Sequence, residues 1–246
     1  MSTNSVVTVK FGGSSLADAE HFLQVKKIIE ANSDRRYVVP SAPGKRSGDD
    51  TKVTDMLYAC YQLAESDADF DDSLKAIADR YQEIIDDLKL NVSLDSRFEQ
   101  IKKDFQAHAG REYAASRGEY LNGILLANYL GFAFLDSAQY IFFKEDGTFD
   151  AEKTNSVLAA QLKGMENAVI PGFYGSLPDG RVKTFSRGGS DITGSIVARA
   201  VQANLYENWT DVSGCLVTDP RIVENPKVID VITYRELREL AYMGFN

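Results

Sequence analysis

Val6-Val7-Thr8-Val9-Lys10-Phe11-Gly12-Gly13-Ser14-Ser15 is the stretch that decides the fold. Its β-branched start reads as a buried strand and its glycines as a turn. The residues beyond, with Phe22, Val25 and Ile29 on one face near Glu20–Glu30, read as an amphipathic helix. A strand that passes through glycines into a helix aims the backbone N–H groups of the helix start at whatever anion the glycines admit. A second such turn, Phe185-Ser186-Arg187-Gly188-Gly189-Ser190-Asp191, opens another helical pattern. Two glycine turns that each deliver charge to a phosphate point to phosphoryl transfer.

Working outward, strands and helices alternate. Tyr37–Ser41 and Phe132–Asp136 read as strands, with helices resuming at Val53 and spanning Ser116–Leu130. Asn167–Pro171 is a further strand, which the turn Pro178-Asp179-Gly180 joins to Val182–Phe185 as a hairpin. A helix over Asp191–Ala203 and a strand over Leu205–Trp209 follow. Alternation of this kind predicts an α/β, three-layer αβα sandwich with a mainly parallel central sheet. Ala42–Lys52, polar and glycine-bearing, reads as a mobile loop directly after a strand end, where open α/β sheets bind ligands. Leu74, Ile77, Tyr81, Ile85 and Leu88, then Leu94, Phe98, Ile101 and Phe105, keep helical spacing and predict a helical insertion or lid over about residues 67–110. Asp86, Asp87, Lys102 and Lys103 would form its solvated face. Tyr234–Met243 reads as an amphipathic helix, and the sequence stops at Gly244-Phe245-Asn246 with no closing strand, so a domain cut short at its carboxyl end is expected.

Composition narrows the function classes. With 246 residues, 44% of them hydrophobic and 26% charged, the chain can bury the core of one large domain. A net charge of −9 without a basic stripe argues against a nonspecific nucleic-acid binder. No signal peptide and no apolar run near ~20 residues is present, so no membrane partner and a cytoplasmic location are expected. Cys60 and Cys215 have neither CxxC pairing nor a nearby His and read as reduced, packed thiols. His21 and His108 lack the partners of a catalytic triad or zinc site. Gly44-Lys45-Arg46-Ser47 fails as a P-loop end, because Val39 stands where the leading glycine belongs.

A kinase acting on a small molecule needs cations and N–H dipoles around the transferring group and separate groups to orient the acceptor. Lys10 at a strand end beside Gly12 and Gly13 can supply the first, and Arg187 can fork onto a carboxylate or phosphate. Asp191 at a helix start suits the site and equally suits a helix cap. Thr210-Asp211 and Thr218-Asp219-Pro220-Arg221 suit a ribose or base and equally suit ordinary turns.

Taken together, KFGGSS (Lys10–Ser15), SRGEYLN (Ser116–Asn122), PGFYG (Pro171–Gly175), SRGGSD (Ser186–Asp191) and WTDVSG…TDPR (Trp209–Arg221) follow the order and spacing of the aspartokinases, within the amino acid kinase superfamily. The chain resembles them end to end. The resemblance implies the amino acid kinase fold and Mg²⁺-dependent phosphorylation of the β-carboxylate of L-aspartate by ATP, the first step toward lysine, threonine and methionine. It implies Lys10 and Asp191 as catalytic residues, with Lys10, Gly12, Gly13 and Ser14 at the phosphates. Thr210, Asp211, Leu216 and Arg221 would lie at the nucleotide. The substrate side would hold Ser41 and Thr54, Glu119 on the α-ammonium, Phe173 as a wall, and Arg187 with Ser190 on a carboxylate. A homo-oligomer is expected.

Departures stand beside the matches. Leu216 replaces a common aromatic near the nucleotide, and Ser186 a glycine. Gly244-Phe245-Asn246 stands where relatives have Gly-Ala-Lys, whose lysine reaches ATP, and no ACT regulatory domain is present in the 246 residues. Two other readings remain open at this stage: a superfamily member acting on acetylglutamate, glutamate, carbamate or a nucleoside monophosphate, and a binding-only module that turns over nothing. SRGEYLN and the helical insertion favour aspartate.

Overall fold

The computed structural model describes residues 5–186, 188–210, 214, 216–218, 222–233, 235–236 and 239. Five strands form a parallel sheet in the order β3 (Ala133–Phe134), β4 (Ala168–Val169), β2 (Arg35–Pro40), β1 (Val7–Phe11), β7 (Leu205–Trp209). The apolar strands are buried on both faces, as a covered parallel sheet requires. Val7, Val9, Phe11, Val38 and Val169 face one core, while Tyr37, Val39, Ala168 and Ile170 face the other.

The first core is closed by α1 (Ala19–Glu30), α2 (Val53–Glu65), α3 (Asp71–Leu88), α4 (Asp95–Gln106) and α5 (Arg111–Leu130). The second is closed by α6 (Ala151–Leu162) and α7 (Gly189–Ala200), so the sandwich has three layers. Helix α1 begins where Asp18 accepts the His21 N–H, and it buries Phe22, Val25 and Ile29. The stretch over 67–110 packs as α3 and α4 into the first core, where Tyr81, Ile101 and Phe105 are buried, with Asp86 and Asp87 exposed. Helix α5 is buried all round from Ala114 to Gly123 and carries Ser116, Arg117, Glu119 and Asn122 inside the protein.

One sequence expectation is corrected. The turn at 178–180 does not join the strand at 167–171 to Val182–Phe185. The hairpin is instead β5 (Tyr174–Ser176) with β6 (Val182–Thr184), an antiparallel pair apart from the main sheet, because β4 is already held between β2 and β3. In the loop after β2, Ala42, Pro43 and Gly44 are buried, Lys45–Asp49 are exposed, and Arg46 and Arg80 both pair with Asp50. Helix α6 has no counterpart in the sequence reading.

The described chain divides into two compact units, Met1–Thr210 and Asp211–Asn246. Within the second, Leu216 bridges Val228, and Thr233 and Glu236 form a reciprocal capping box. Cys215 and most of the helix expected at 234–243 lie outside the described residues.

Candidate active site

Parallel strands deliver their carboxyl ends to one edge of a sheet, and ligands of such sheets bind there. The turn Gly12–Ser15 follows β1, Ser41–Gly44 follows β2, Ile170–Phe173 follows β4 and Thr210 follows β7. All four connections leave the same edge.

Strand alternation settles where Lys10 points. Val9 and Phe11 face the first core, so Thr8 and Lys10 face the α7 layer. There Lys10 is only 8% exposed, and its Nζ lies 2.8 Å from Asp191 Oδ1. Register explains the third partner: Asn208 on β7 stands opposite Lys10, and its amide donates to the same Asp191 oxygen at 3.0 Å. Tyr206, two residues earlier on the same face, donates to the Asp191 backbone carbonyl at 3.2 Å. Asp191 sits in the first turn of α7 but caps nothing; the helix starts from Gly188 in the left-handed region at φ 56°. The first N–H groups of α7 thus stay unclaimed by a side-chain cap, next to a cation.

Glycines set the spacing between these connections. A Cβ on Gly12 would lie 3.7 Å from Lys10 Nζ and 4.0 Å from Ser14 Oγ, so the turn passes directly over the lysine. A Cβ on Gly13 would meet Ala42 O at 2.9 Å, and the Gly44 N–H donates to Gly13 O at 2.8 Å. Gly172 packs on the Ser190 side chain and Gly189 on the Phe173 ring. Phe173 holds φ 80°, a left-handed conformation that costs a bulky residue roughly 1–3 kcal/mol. The Thr193 hydroxyl, accepting the Phe173 N–H at 3.1 Å, and the Phe185 N–H, donating to Phe173 O at 2.9 Å, hold it there.

Helix α5 supplies the other wall. Gly118 brings it against Ala42 and Thr54: a Cβ there would lie 2.7 Å from Ala42 Cβ and 3.7 Å from Thr54 Oγ1. One residue on, Glu119 is buried, and burial pushes its carboxyl up to about 8 even though the Ala42 backbone amide favours the charged form. Its Oε2 has no hydrogen-bond partner among the described residues. One turn further, the Asn122 amide donates to Ser41 O at 2.7 Å, while the Ser41 N–H is tied to Phe11 O at 3.1 Å. A buried acceptor without a donor asks for a cationic or N–H-bearing ligand.

The structure therefore brings Lys10, Asp191, Gly12 and Ser14 together. It places Gly13, Ser41, Thr54 and Glu119 around Ala42, and Phe173 with Ser190 beside the start of α7. Thr210 is exposed beyond β7. Leu216 belongs to the second unit, and Arg187, Asp211 and Arg221 lie outside the described residues. Asn208, Tyr206 and Asn122 escaped the sequence reading. Asn208 left a signal there, a polar residue inside a strand at the register of Lys10.

Residues 5–246 match the profile of the amino acid kinase family. The chain belongs to the amino acid kinase family. This amino acid kinase is 38% identical over 253 residues to Aspartokinase 3 of Bacillus subtilis (strain 168), across 97% of this chain and 56% of that protein. It superposes on the crystal structure of Clostridium acetobutylicum aspartate kinase with a TM-score of 0.92 at 52% identity, covering 97% of this chain and 55% of that one. It also resembles E. coli aspartokinase III in complex with aspartate and ADP (R-state), with a TM-score of 0.81 at 28% identity, over 98% of this chain and 57% of that one. The chain thus spans little more than half the length of these relatives.

Proposed function

We propose that this chain transfers the γ-phosphoryl group of ATP to the β-carboxylate of L-aspartate, giving 4-phospho-L-aspartate. The observation that carries the reading is the enclosed Glu119 carboxylate with an unpartnered oxygen, built onto the loop that packs against the Gly12–Gly13 turn and its Lys10–Asp191 pair. Relatives named as aspartokinases, and the aspartate and ADP held by the E. coli structure, support it.

In this reading Lys10 neutralises charge on the transferring phosphoryl, where it is worth most because its ammonium is buried and held in place beforehand. Asp191 and Asn208 fix the Lys10 ammonium and keep it from following the phosphate away from its line. The N–H groups of Gly13, Ser14 and the α7 start add dipoles aimed at the phosphates. Glu119 takes the α-ammonium of aspartate, and Ser41, Thr54 and Ser190, with Arg187, orient the acceptor. Phe173 walls the pocket, and Thr210, Asp211, Leu216 and Arg221 hold the nucleotide.

Magnesium fits this donor set through the nucleotide. No group of three or more His, Cys, Asp or Glu side chains able to hold a metal occurs among the described residues, and Mg²⁺ commonly rides on phosphates with one or two carboxylates. Asp191 is the carboxylate at hand, and the ion would neutralise phosphate charge.

Placement on the route to lysine, threonine and methionine, a cytoplasmic location and homo-oligomeric assembly go with the same reading. So does a catalytic domain over 1–246 with 67–110 as its helical insertion. An ADP-release assay with L-aspartate, N-acetylglutamate, glutamate, carbamate and a nucleoside monophosphate tests it. Turnover with aspartate at least ~10-fold above the others is expected, and turnover with another acceptor alone would refute it.

A further inference from the structure

Arg80 plays no part in the chemistry above, yet it is a buried charge, 3% exposed, on the inner face of α3. One of its terminal nitrogens donates to Asp50 Oδ2 at 2.5 Å. The other donates to two backbone carbonyls, Ala17 and Gly44, each at 2.9 Å. Ala17 closes the short helical turn over Ser14–Leu16 that follows the glycines of β1. Gly44 closes the buried part of the loop after β2, and its N–H is already bound to Gly13 O. A single guanidinium thus spans the phosphate side and the acceptor side of the candidate site from behind. Asp50 joins them to Arg46, which donates to it from both backbone and side chain at 2.9 Å and reaches Glu83 on α3 at 2.6 Å.

Stability alone is a poor reason for this arrangement. A buried ion pair is often no more stabilising than well-packed apolar residues, and Arg80 Nε is left without a partner among the described residues. What only a planar fork supplies is three acceptors held at fixed mutual positions. We infer that Arg80 is a positioning residue, which sets the separation between the turn that receives the donor phosphates and the loop that receives the acceptor. The inference rests on the kinase reading and deepens it: each substrate binds its own segment, and Arg80 sets their alignment. Misplacement by about 1 Å is enough to cost ~100-fold in rate.

Arg80→Lys keeps the charge but cannot hold Ala17 O, Gly44 O and Asp50 at once. Two sets of measurements on this chain test it: amide hydrogen exchange at Gly44, and transfer kinetics beside separately titrated affinities for ADP and L-aspartate. Exchange at Gly44 faster by at least ~10-fold is expected. A kcat reduced ~10-fold or more, with both affinities within about threefold of wild type, is expected alongside it. Unchanged protection of Gly44 would overturn the clasp, and a kcat within about threefold, or a loss confined to affinity, would leave Arg80 a structural role only. Absence of transfer to aspartate in the wild type would refute the kinase reading by itself; exchange at Gly44 then decides for or against the clasp. If Arg80→Lys does not fold, Asp50→Asn, which removes the charge shared by Arg80 and Arg46, is read by the same criteria.

Discussion

On the proposed kinase reading, Glu119→Gln should stabilise this protein in a pH-dependent way and abolish transfer to aspartate. In the folded chain the Glu119 carboxyl is raised from 4.5 to about 8, chiefly by burial. The folded state therefore holds its proton more tightly than the unfolded chain does. Stability from this group is fully present below the unfolded value, falls as pH rises through the window from 4.5 to about 8, and levels off above it. At about 1.4 kcal/mol per pH unit, that window sets a ceiling of roughly 5 kcal/mol on what ionising Glu119 removes. Relaxation that lets water reach the carboxylate lowers the figure, and about 2–4 kcal/mol is expected at pH 8.

Glutamine is close in shape and does not titrate, so the wild-type minus variant difference isolates this one group from every other acid. Urea unfolding at intervals from pH 5 to 8, with m-values checked for constancy, reads it directly. The variant's advantage should be small at pH 5 and grow to about 2–4 kcal/mol at pH 8. A difference constant within about 0.5 kcal/mol across that range would refute the reasoning and mean that Glu119 ionises as freely as a surface glutamate. If Glu119 receives the α-ammonium as proposed, L-aspartate should raise the unfolding midpoint of the wild type and leave that of the variant in place.

Lys10→Ala should lower kcat by roughly 10²–10³ with the urea midpoint little changed, since the Asp191 carboxylate it leaves behind is half exposed; a kcat within about threefold would make Lys10 a strand-end lysine. Gly44→Ala puts a Cβ 2.6 Å from the Gly13 carbonyl carbon and should cost about 1–3 kcal/mol in thermal unfolding; an unshifted melting temperature would show that the two turns can separate freely. Gly118→Ala drives a Cβ to 2.7 Å from Ala42 Cβ and should raise KM for aspartate several-fold without moving KM for ATP, so equal changes in both would detach α5 from the acceptor side.

Sequence period carried most of the fold. Helix α1 shows its buried face as Phe22, Val25 and Ile29, and α2 begins at the expected Val53, because one-sided helices against a sheet must repeat their apolar residues. Helix α6 gave no such signal: it buries Thr154, Leu158 and Leu162, and the first of these is polar. Strands β4 and β5, two and three residues long, are too short for alternation to speak, so the sequence does not show which of them pairs with β6. From Ala114 to Gly123 helix α5 is enclosed on every side, so the polar residues there, Glu119 and Asn122 among them, mark no solvent face.

The site was legible in its residue types and not in its couplings. Lys10 and Asp191 can be suspected from glycine turns 175 residues or more apart in sequence only because each turn has a local reason to hold an anion; what joins them is register across β1 and β7, through Asn208. The remaining joints are contacts between segments in which a side chain would not fit: Gly13 on Gly44, Gly118 on Ala42, Gly189 on Phe173. In one sequence nothing marks such a glycine out, since the atom that excludes its Cβ belongs to another segment. Arg80 follows the same logic with the opposite residue type. On α3 it reads as one more charge on an amphipathic helix, and only the carbonyls of Ala17 and Gly44, brought to it by separate connections, distinguish it from the solvated charges of that helix. Two kinds of residue therefore align the parts of this site, glycines that let backbones touch and one arginine that bridges them, and both acquire their roles from neighbours distant in the chain.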